Sequence, residues 1–200
     1  MRPSRTFVPA LAMLVLAPGA TRAEEVVGEA RAVADAPFTT RNFGNLRVGG
    51  STANGNRRPE LCLELSPVSF LSVEGCGTGS GFLHGDPEPE VAHFRAKLRL
   101  MSFEKEGWGT LQPFLAAGLA EAQVGEDEPG LQITGTDARR VATAGPELGL
   151  GLRFLRPLAS GFELVGDFNV GMAWLPHGPD LVEPVDTWLP SASLSFGLGF

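Results

Sequence analysis

The last ten residues of the chain alternate without a break. Ala192, Leu194, Phe196, Leu198 and Phe200 hold one parity, and Ser191, Ser193, Ser195, Gly197 and Gly199 hold the other. Successive side chains of a strand point to opposite faces, so this reads as a strand with one greasy face and one lined by small residues. The split recurs at 161–175, where Phe162, Leu164, Phe168, Val170, Met172 and Trp174 oppose Glu163, Asp167, Asn169 and Gly171. At 139–154, Leu148, Leu150, Leu152 and Phe154 oppose Glu147, Gly149, Gly151 and Arg153; at 91–103, Phe94, Ala96, Leu98 and Leu100 oppose His93, Arg95, Lys97 and Arg99. Weaker versions complete a set of strands at 42–51, 60–66, 70–77, 91–103, 110–124, 139–154, 161–175 and 188–200. The 26 Gly and 16 Pro among 200 residues supply turns and argue against a helical bundle, while 43% hydrophobic content argues against disorder. An all-β chain with an even number of strands is the expectation.

Connections carry a second signal. The links at about 52–59, 78–90, 125–138 and 176–187 are long and polar, whereas those around Pro67, Glu104–Gly109 and Leu155–Ser160 are short. Long loops at one end and tight turns at the other mark an outer-membrane barrel. Ahead of the strands, Arg2 and Arg5 precede an apolar stretch from Phe7 to Ala17, with Thr21 and Ala23 as small residues at a cleavage point. Residues 1–23 are therefore expected to be a signal peptide, 24–41 a polar, Ala-rich periplasmic leader, and 42–200 the barrel. Losing Arg2, Arg5 and Arg22 leaves 13 basic against 23 acidic residues, a net charge of −10 in place of −7, which disfavours nucleic acid as a partner. After Ala23 every apolar stretch is broken within about ten residues by charge, Gly or Pro, so no helical span is expected. Alternation alone leaves open a soluble, lipocalin-like barrel with the apolar parity inward around a ligand. Gly and Ser on the polar parity suit a narrow lumen, and Leu and Phe on the other suit lipid.

The signal sequence, the eight alternating segments and the closing Ser193-Leu194-Ser195-Phe196-Gly197-Leu198-Gly199-Phe200 together resemble the small outer-membrane β-barrel family that includes the transmembrane domain of outer-membrane protein A. The resemblance covers roughly 42–200 and is one of pattern. It implies an eight-stranded, antiparallel, up-and-down transmembrane barrel in the cell outer membrane, with lipid and lipopolysaccharide around it. It also implies that Phe200, with Phe196 and Leu198, is the signal read by the barrel-assembly machinery. A peptidoglycan-binding domain like the one after the barrel of outer-membrane protein A is not expected, so tethering to the cell wall is not implied.

Pairing the second and third segments at a constant sum of 138 sets Cys62 against Cys76, Glu64 against Glu74 and Ser66 against Ser72, all on the lumen parity. In an exported chain the two thiols are expected to form a hairpin disulfide, the alternative being two separate buried thiols. Two Cys without Cys-x-x-Cys argue against a redox motif, a disulfide framework and a four-ligand zinc site, so no zinc module is expected. Glu64 and Glu74 could be a carboxylate dyad, but Arg95, Lys97 and Arg99 share their parity on the next strand. With His93, and with Arg47 and Arg153 set against Glu147, Glu163 and Asp167, the interior is expected to be a mixed-charge network that plugs the lumen. Of the remaining His, His84 and His177 lie in long loops, and no His-x-Ser pair stands on the lipid-facing parity, so neither a catalytic site nor a cofactor is expected.

The acids Asp86, Glu88, Glu90, Glu126, Asp127, Glu128, Asp137, Asp180, Glu183 and Asp186 fall in or beside the long loops without the oxygen spacing of a calcium loop. They read as solvated surface facing outward, with Arg57, Arg58, Arg139 and Arg140 at the rim for lipid phosphate. Trp174 and Trp188 are expected at the outer interface and Trp108 at the inner turn. Pro113, Pro146 and Pro190 each remove a ladder donor, and Pro146 is expected to mark a bulge. The functional expectation is a structural, adhesive or surface-interacting barrel whose loops are its means of contacting an external ligand or surface. A narrow channel, a lipid A-modifying enzyme and a soluble ligand-binding barrel stand as alternatives.

Overall fold

The structure is a computed structural model that describes residues 42–54, 58–79, 90–124, 141–158 and 161–200. The expectations for 1–23 and 24–41, and those for Arg57, His84, Asp86, Glu88, Glu126, Asp127, Glu128, Asp137, Arg139 and Arg140, lie outside the described residues. The strands are β1 (Gly44–Ser51), β2 (Glu60–Val68), β3 (Leu71–Gly77), β4 (Glu90–Arg99), β5 (Phe103–Lys105), β6 (Gly109–Gln123), β7 (Ala142–Pro157), β8 (Glu163–Trp174) and β9 (Trp188–Gly199). Each pairs antiparallel with its neighbours, β1 with β9 and β4 with β6, so the sheet closes on itself. The seam is fastened where Gly44 and Phe200 exchange both backbone hydrogen bonds, at 3.1 and 2.9 Å.

The nine strands of the described residues make an eight-stranded barrel because β4 and β5 are one strand interrupted. The amide of Leu100 still donates to Pro113 at 3.0 Å, but the register against β6 slips by one residue before Phe103 pairs with Leu111. A one-residue slip within a pair is a bulge. The tight turn beyond it, Glu106–Trp108, uses Gly107 at φ 77°.

Two sequence expectations are corrected. The constant sum holds from Leu61–Gly77 to Leu65–Val73 and then shifts, so Ser66 does not face Ser72. Ser66 instead donates its amide to Phe43 at 2.7 Å, and the turn falls at Ser69–Phe70, with Pro67 inside the bulged end of β2. Pro146, conversely, marks no bulge: pairing with β6 runs unbroken from Thr110–Leu155 to Gln123–Ala142. The three prolines sit where one neighbouring strand has ended or is broken. Pro146 lies just past the last β8 pair, Pro190 lies past the last β1 pair, and Pro113 faces the bulge after β4. A missing donor is tolerated at such edges.

The parity expected from sequence is the parity found. Leu46, Leu63, Phe94, Leu115, Leu150, Phe168 and Phe196 stand outward and exposed, while Arg47, Glu64, His93, Lys97, Arg153 and Asp167 are enclosed. A water-soluble barrel buries its apolar face; this one displays it. Close approach inside is bought by small residues, as at Gly151, where a Cβ would strike the Phe114 ring and the Phe168 carbonyl.

Candidate functional site

The lumen is the candidate site, and its side chains are delivered by the period of two on every strand. Six charged groups meet at its centre: Arg47 from β1, Glu64 from β2, Glu74 from β3, Lys97 from β4, Arg153 from β7 and Asp167 from β8. Arg47 reaches Glu64 at 2.9 Å and Asp167 at 2.6 Å, and also contacts Glu74. Lys97 lies 2.8 Å from Asp167 and 3.4 Å from Glu64. Arg153 grips both oxygens of Asp167 at 2.7 Å and pairs with Glu64. Three cations and three anions balance, which is the condition for burying charge in a narrow interior, where an uncompensated ion costs several kcal/mol. Asn45 and Ser195 accept two further hydrogen bonds from Arg47, at 2.6 and 3.0 Å.

Above this cluster, toward the long loops, Arg95 bridges Glu147 at 2.8 Å and Glu74 at 3.6 Å, and His93 Nδ1 lies 2.9 Å from Glu147. Cys62 and Cys76 are joined by a disulfide, their Cα atoms 4.1 Å apart. Two residues expected in the network stand apart at the short-turn mouth. Arg99 donates to the Ser69 carbonyl at 2.7 Å and to Ser66 Oγ at 2.9 Å, and Glu163 accepts from Asn42 at 3.0 Å. They border a polar cavity of about 250 Å³ that Glu104 and Gln112 also line.

Three features escape the sequence reading. Phe114 is an aromatic on the lumen side, with Lys97 Nζ 4.7 Å and Arg153 Cζ 5.9 Å from its ring centre, so the cluster rests on a π-face. Its parity, shared with Gln112, Ala116 and Gly118, is the signal that could have found it. Glu60 is buried on the lumen side of the disulfide. At the long-loop end Val91, Ala120, Ala122, Val124, Ala173, Leu175 and Leu181 form a buried apolar cluster. Leu181 belongs to the connection between β8 and β9, which folds back through hydrogen bonds from Leu175 to Thr187 at 2.7 Å and from Val185 to Gly178 at 3.1 Å.

The outer surface supplies the setting. Phe43, Phe70, Phe103, Trp108, Phe162 and Phe200 are exposed around the short-turn end, one near almost every strand terminus, and Trp174 faces Trp188 at the other end with ring centres 6.4 Å apart. Trp174 lies twelve positions beyond Phe162 along β8 and its approach. At about 3.3 Å per residue and a tilt of about 40°, that places the two girdles about 30 Å apart, enough to bracket an apolar band about 25 Å tall. The absent Tyr is replaced at the girdle by Phe. In the β8–β9 connection Asp180, Glu183 and Asp186 are exposed, and His177 lies 3.2 Å from Asp180.

No protein-family model matches the chain, and no curated protein sequence does. Solved structures with a similar backbone include the N-terminal β-barrel domain of Pseudomonas aeruginosa OprF, at 13% identity and TM-score 0.47, covering 78% of this chain and 96% of that one. The Yersinia pestis outer membrane protein Ail in a phospholipid nanodisc is similar at 17% identity and TM-score 0.38, covering 80% and 99%. Outer membrane protein AlkL in lipid bilayers is similar at 15% identity and TM-score 0.33, covering 78% and 85%. In this chain itself, an exposed wall of Leu and Phe and an interior of paired charges are stable together only in a hydrocarbon surround, and the chain is accordingly a closed, eight-stranded transmembrane β-barrel.

Proposed function

We propose that the protein serves the outer membrane as a structural and surface-contact barrel, neither a diffusion pore nor a catalyst. The observation that carries this reading is the neutral cluster of Arg47, Glu64, Glu74, Lys97, Arg153 and Asp167, which fills the barrel at mid-height from the four adjacent strands β1–β4 and from β7 and β8 across from them. An interior of eight strands is narrow enough for side chains alone to occupy it. The apolar cluster beneath Leu181 adds a second obstruction toward the long loops. The exposed acids of the β8–β9 connection suit solvent and surface partners, and lipid and lipopolysaccharide surround the wall. Of the histidines a lipid-modifying enzyme could use, His93 is enclosed against Glu147 and His177 lies against Asp180 in the β8–β9 connection.

Purified protein in planar bilayers is expected to give no discrete conductance. Ion currents that change when Arg95 or Glu64 is neutralised would overturn the reading in favour of a channel. Localisation has its own check: cell fractions are expected to hold the protein as an outer-membrane band whose gel mobility changes on heating in detergent, and recovery from the soluble periplasm would contradict it.

The closing Phe200 is proposed as the residue read by the barrel-assembly machinery, with Phe196 and Leu198 on the same outward face. Deleting Phe200 is expected to lower the amount of folded protein in the membrane severalfold. Refolding of the purified chain in detergent should be affected far less, because the machinery is absent there. Equal losses in both settings would assign Phe200 to the β1–β9 seam alone.

A further inference from the structure

Three chemistry-bearing side chains that no ion pair described above uses, Glu60, Cys62 and Cys76, meet in the lumen above the central charges, and His93 stands next to them outside that group, held by Glu147. Glu60 and Cys62 come from β2, Cys76 from β3, and His93 from β4, where it is the direct partner of Cys76. A carboxylate oxygen of Glu60 and the two sulfurs lie within 4.8 Å of one another. Exposures are 2% for Glu60, 3% for Cys62, 6% for Cys76 and 1% for His93. Within that enclosure Glu60 Oε1 and His93 Nε2 have no hydrogen-bond partner among the described residues. Leaving two such atoms bare is costly, and their position beside a pair of sulfurs points to a missing ligand. His93 is also oriented for one: its other ring nitrogen is engaged by Glu147 at 2.9 Å, as a second carboxylate does for a metal-bound histidine.

We propose that reduction of the Cys62–Cys76 bond converts this point of the lumen into a site for a thiophilic divalent ion of the Zn²⁺ class. Its ligands are the two cysteine sulfurs and the Glu60 carboxylate, already grouped, and His93 Nε2, which the sulfurs turn to meet once the bond between them is open. A dithiol reductant breaks the S–S bond: its two thiols are oxidised to a disulfide, and each cysteine sulfur takes one of their protons. On binding the ion, each cysteine releases that proton to solvent and forms one metal–sulfur bond, with no change in the metal's oxidation state. Two sulfurs, one oxygen and one nitrogen make a tetrahedral donor set of the kind Zn²⁺ prefers. Oxidised, the same pair offers no thiolate and acts only as a bond between β2 and β3.

Cobalt(II) is the probe. The full chain is reduced with dithiothreitol in urea, desalted without oxygen and refolded into detergent with Co²⁺, with folding followed by heat-modified gel mobility. The reduced, folded chain is expected to show thiolate-to-cobalt charge transfer and the visible bands of tetrahedral cobalt, at one ion per chain and displaceable by Zn²⁺. The oxidised chain and Cys62→Ser/Cys76→Ser are expected to show neither. Glu60→Gln and His93→Gln should lose the tetrahedral spectrum, and Glu147→Gln should weaken binding by about 10- to 100-fold. Binding by the reduced chain no tighter than by the double-serine variant overturns the proposal, leaving the bare atoms to water, and so does a spectrum that Glu60→Gln and His93→Gln leave unchanged. Should reduction before folding prevent refolding, the barrel is folded oxidised and then reduced, with thiol titration to establish that the bond has opened. Absence of the cobalt spectrum in that opened barrel, or failure to open it at all, likewise overturns the proposal.

Discussion

Glu64→Gln is expected to lower the unfolding free energy by about 3–5 kcal/mol, the range seen when one member of a buried ion pair is removed and its partners stay charged. Glu64 contacts Arg47, Lys97 and Arg153 in an interior that solvent does not reach. Glutamine keeps the shape and most hydrogen-bonding capacity but leaves three cations facing Glu74 and Asp167, a net positive charge sealed in the barrel. Urea unfolding in lipid vesicles, followed by tryptophan fluorescence, measures the loss. The informative companion is Glu64→Gln/Lys97→Met, which removes one charge of each sign while the methionine still packs on Phe114. Its cost is expected to fall short of the sum of the two single changes by about 1–3 kcal/mol, the coupling of neighbours in one network. A loss below about 1 kcal/mol for Glu64→Gln, typical of solvated surface pairs, would mean that water enters the lumen and screens the cluster.

Leu150→Arg is expected to cost about 2–4 kcal/mol in vesicles, the penalty for arginine near the bilayer midplane on the outer face of a barrel. Leu150 is 59% exposed and lies between Leu115 of β6 and Val170 of β8, well inside the girdles. Val182 is comparably exposed at 54% but belongs to the connection beyond Trp174. Val182→Arg should cost about 0–1 kcal/mol, as near an interface. The contrast separates lipid from water as the solvent of the wall: in a water-soluble barrel both positions would be surface, and both substitutions would be close to neutral. Near-zero, equal costs would therefore return the chain to the soluble alternative.

The sequence was legible wherever a single period decided the matter. Ser191–Phe200, with its unbroken alternation, places Phe196 and Leu198 outward and Ser195 inward. The facing of Cys62 with Cys76 and of Glu64 with Glu74 followed from one register, because slipping an antiparallel pair by one residue would turn every side chain to the other face. Legibility failed at bulges, which change the residue count on one strand without altering local composition. Ser66 lost its expected partner to the bulge before Val68, and the break after Arg99 made one expected strand into two. Prolines misled for a related reason. Whether Pro146 disrupts a ladder depends on where the neighbouring strand stops, and that is a property of β8.

Taken alone, then, the sequence determined which side chains share a face, how many strands there are to close, and that the charges must lie on the side away from Leu and Phe, because parity is a local consequence of strand geometry. Which charges meet was decided only by the closed barrel. Arg47 and Asp167 are 120 positions apart, and Arg99 and Glu163 carry the same parity as the cluster yet remain at the mouth. Depth along the axis depends on the tilt and stagger of all the strands together. That same geometry places Phe114 beneath the cations, seals the long-loop end with apolar side chains, and sets Glu60 and His93 beside the two cysteines.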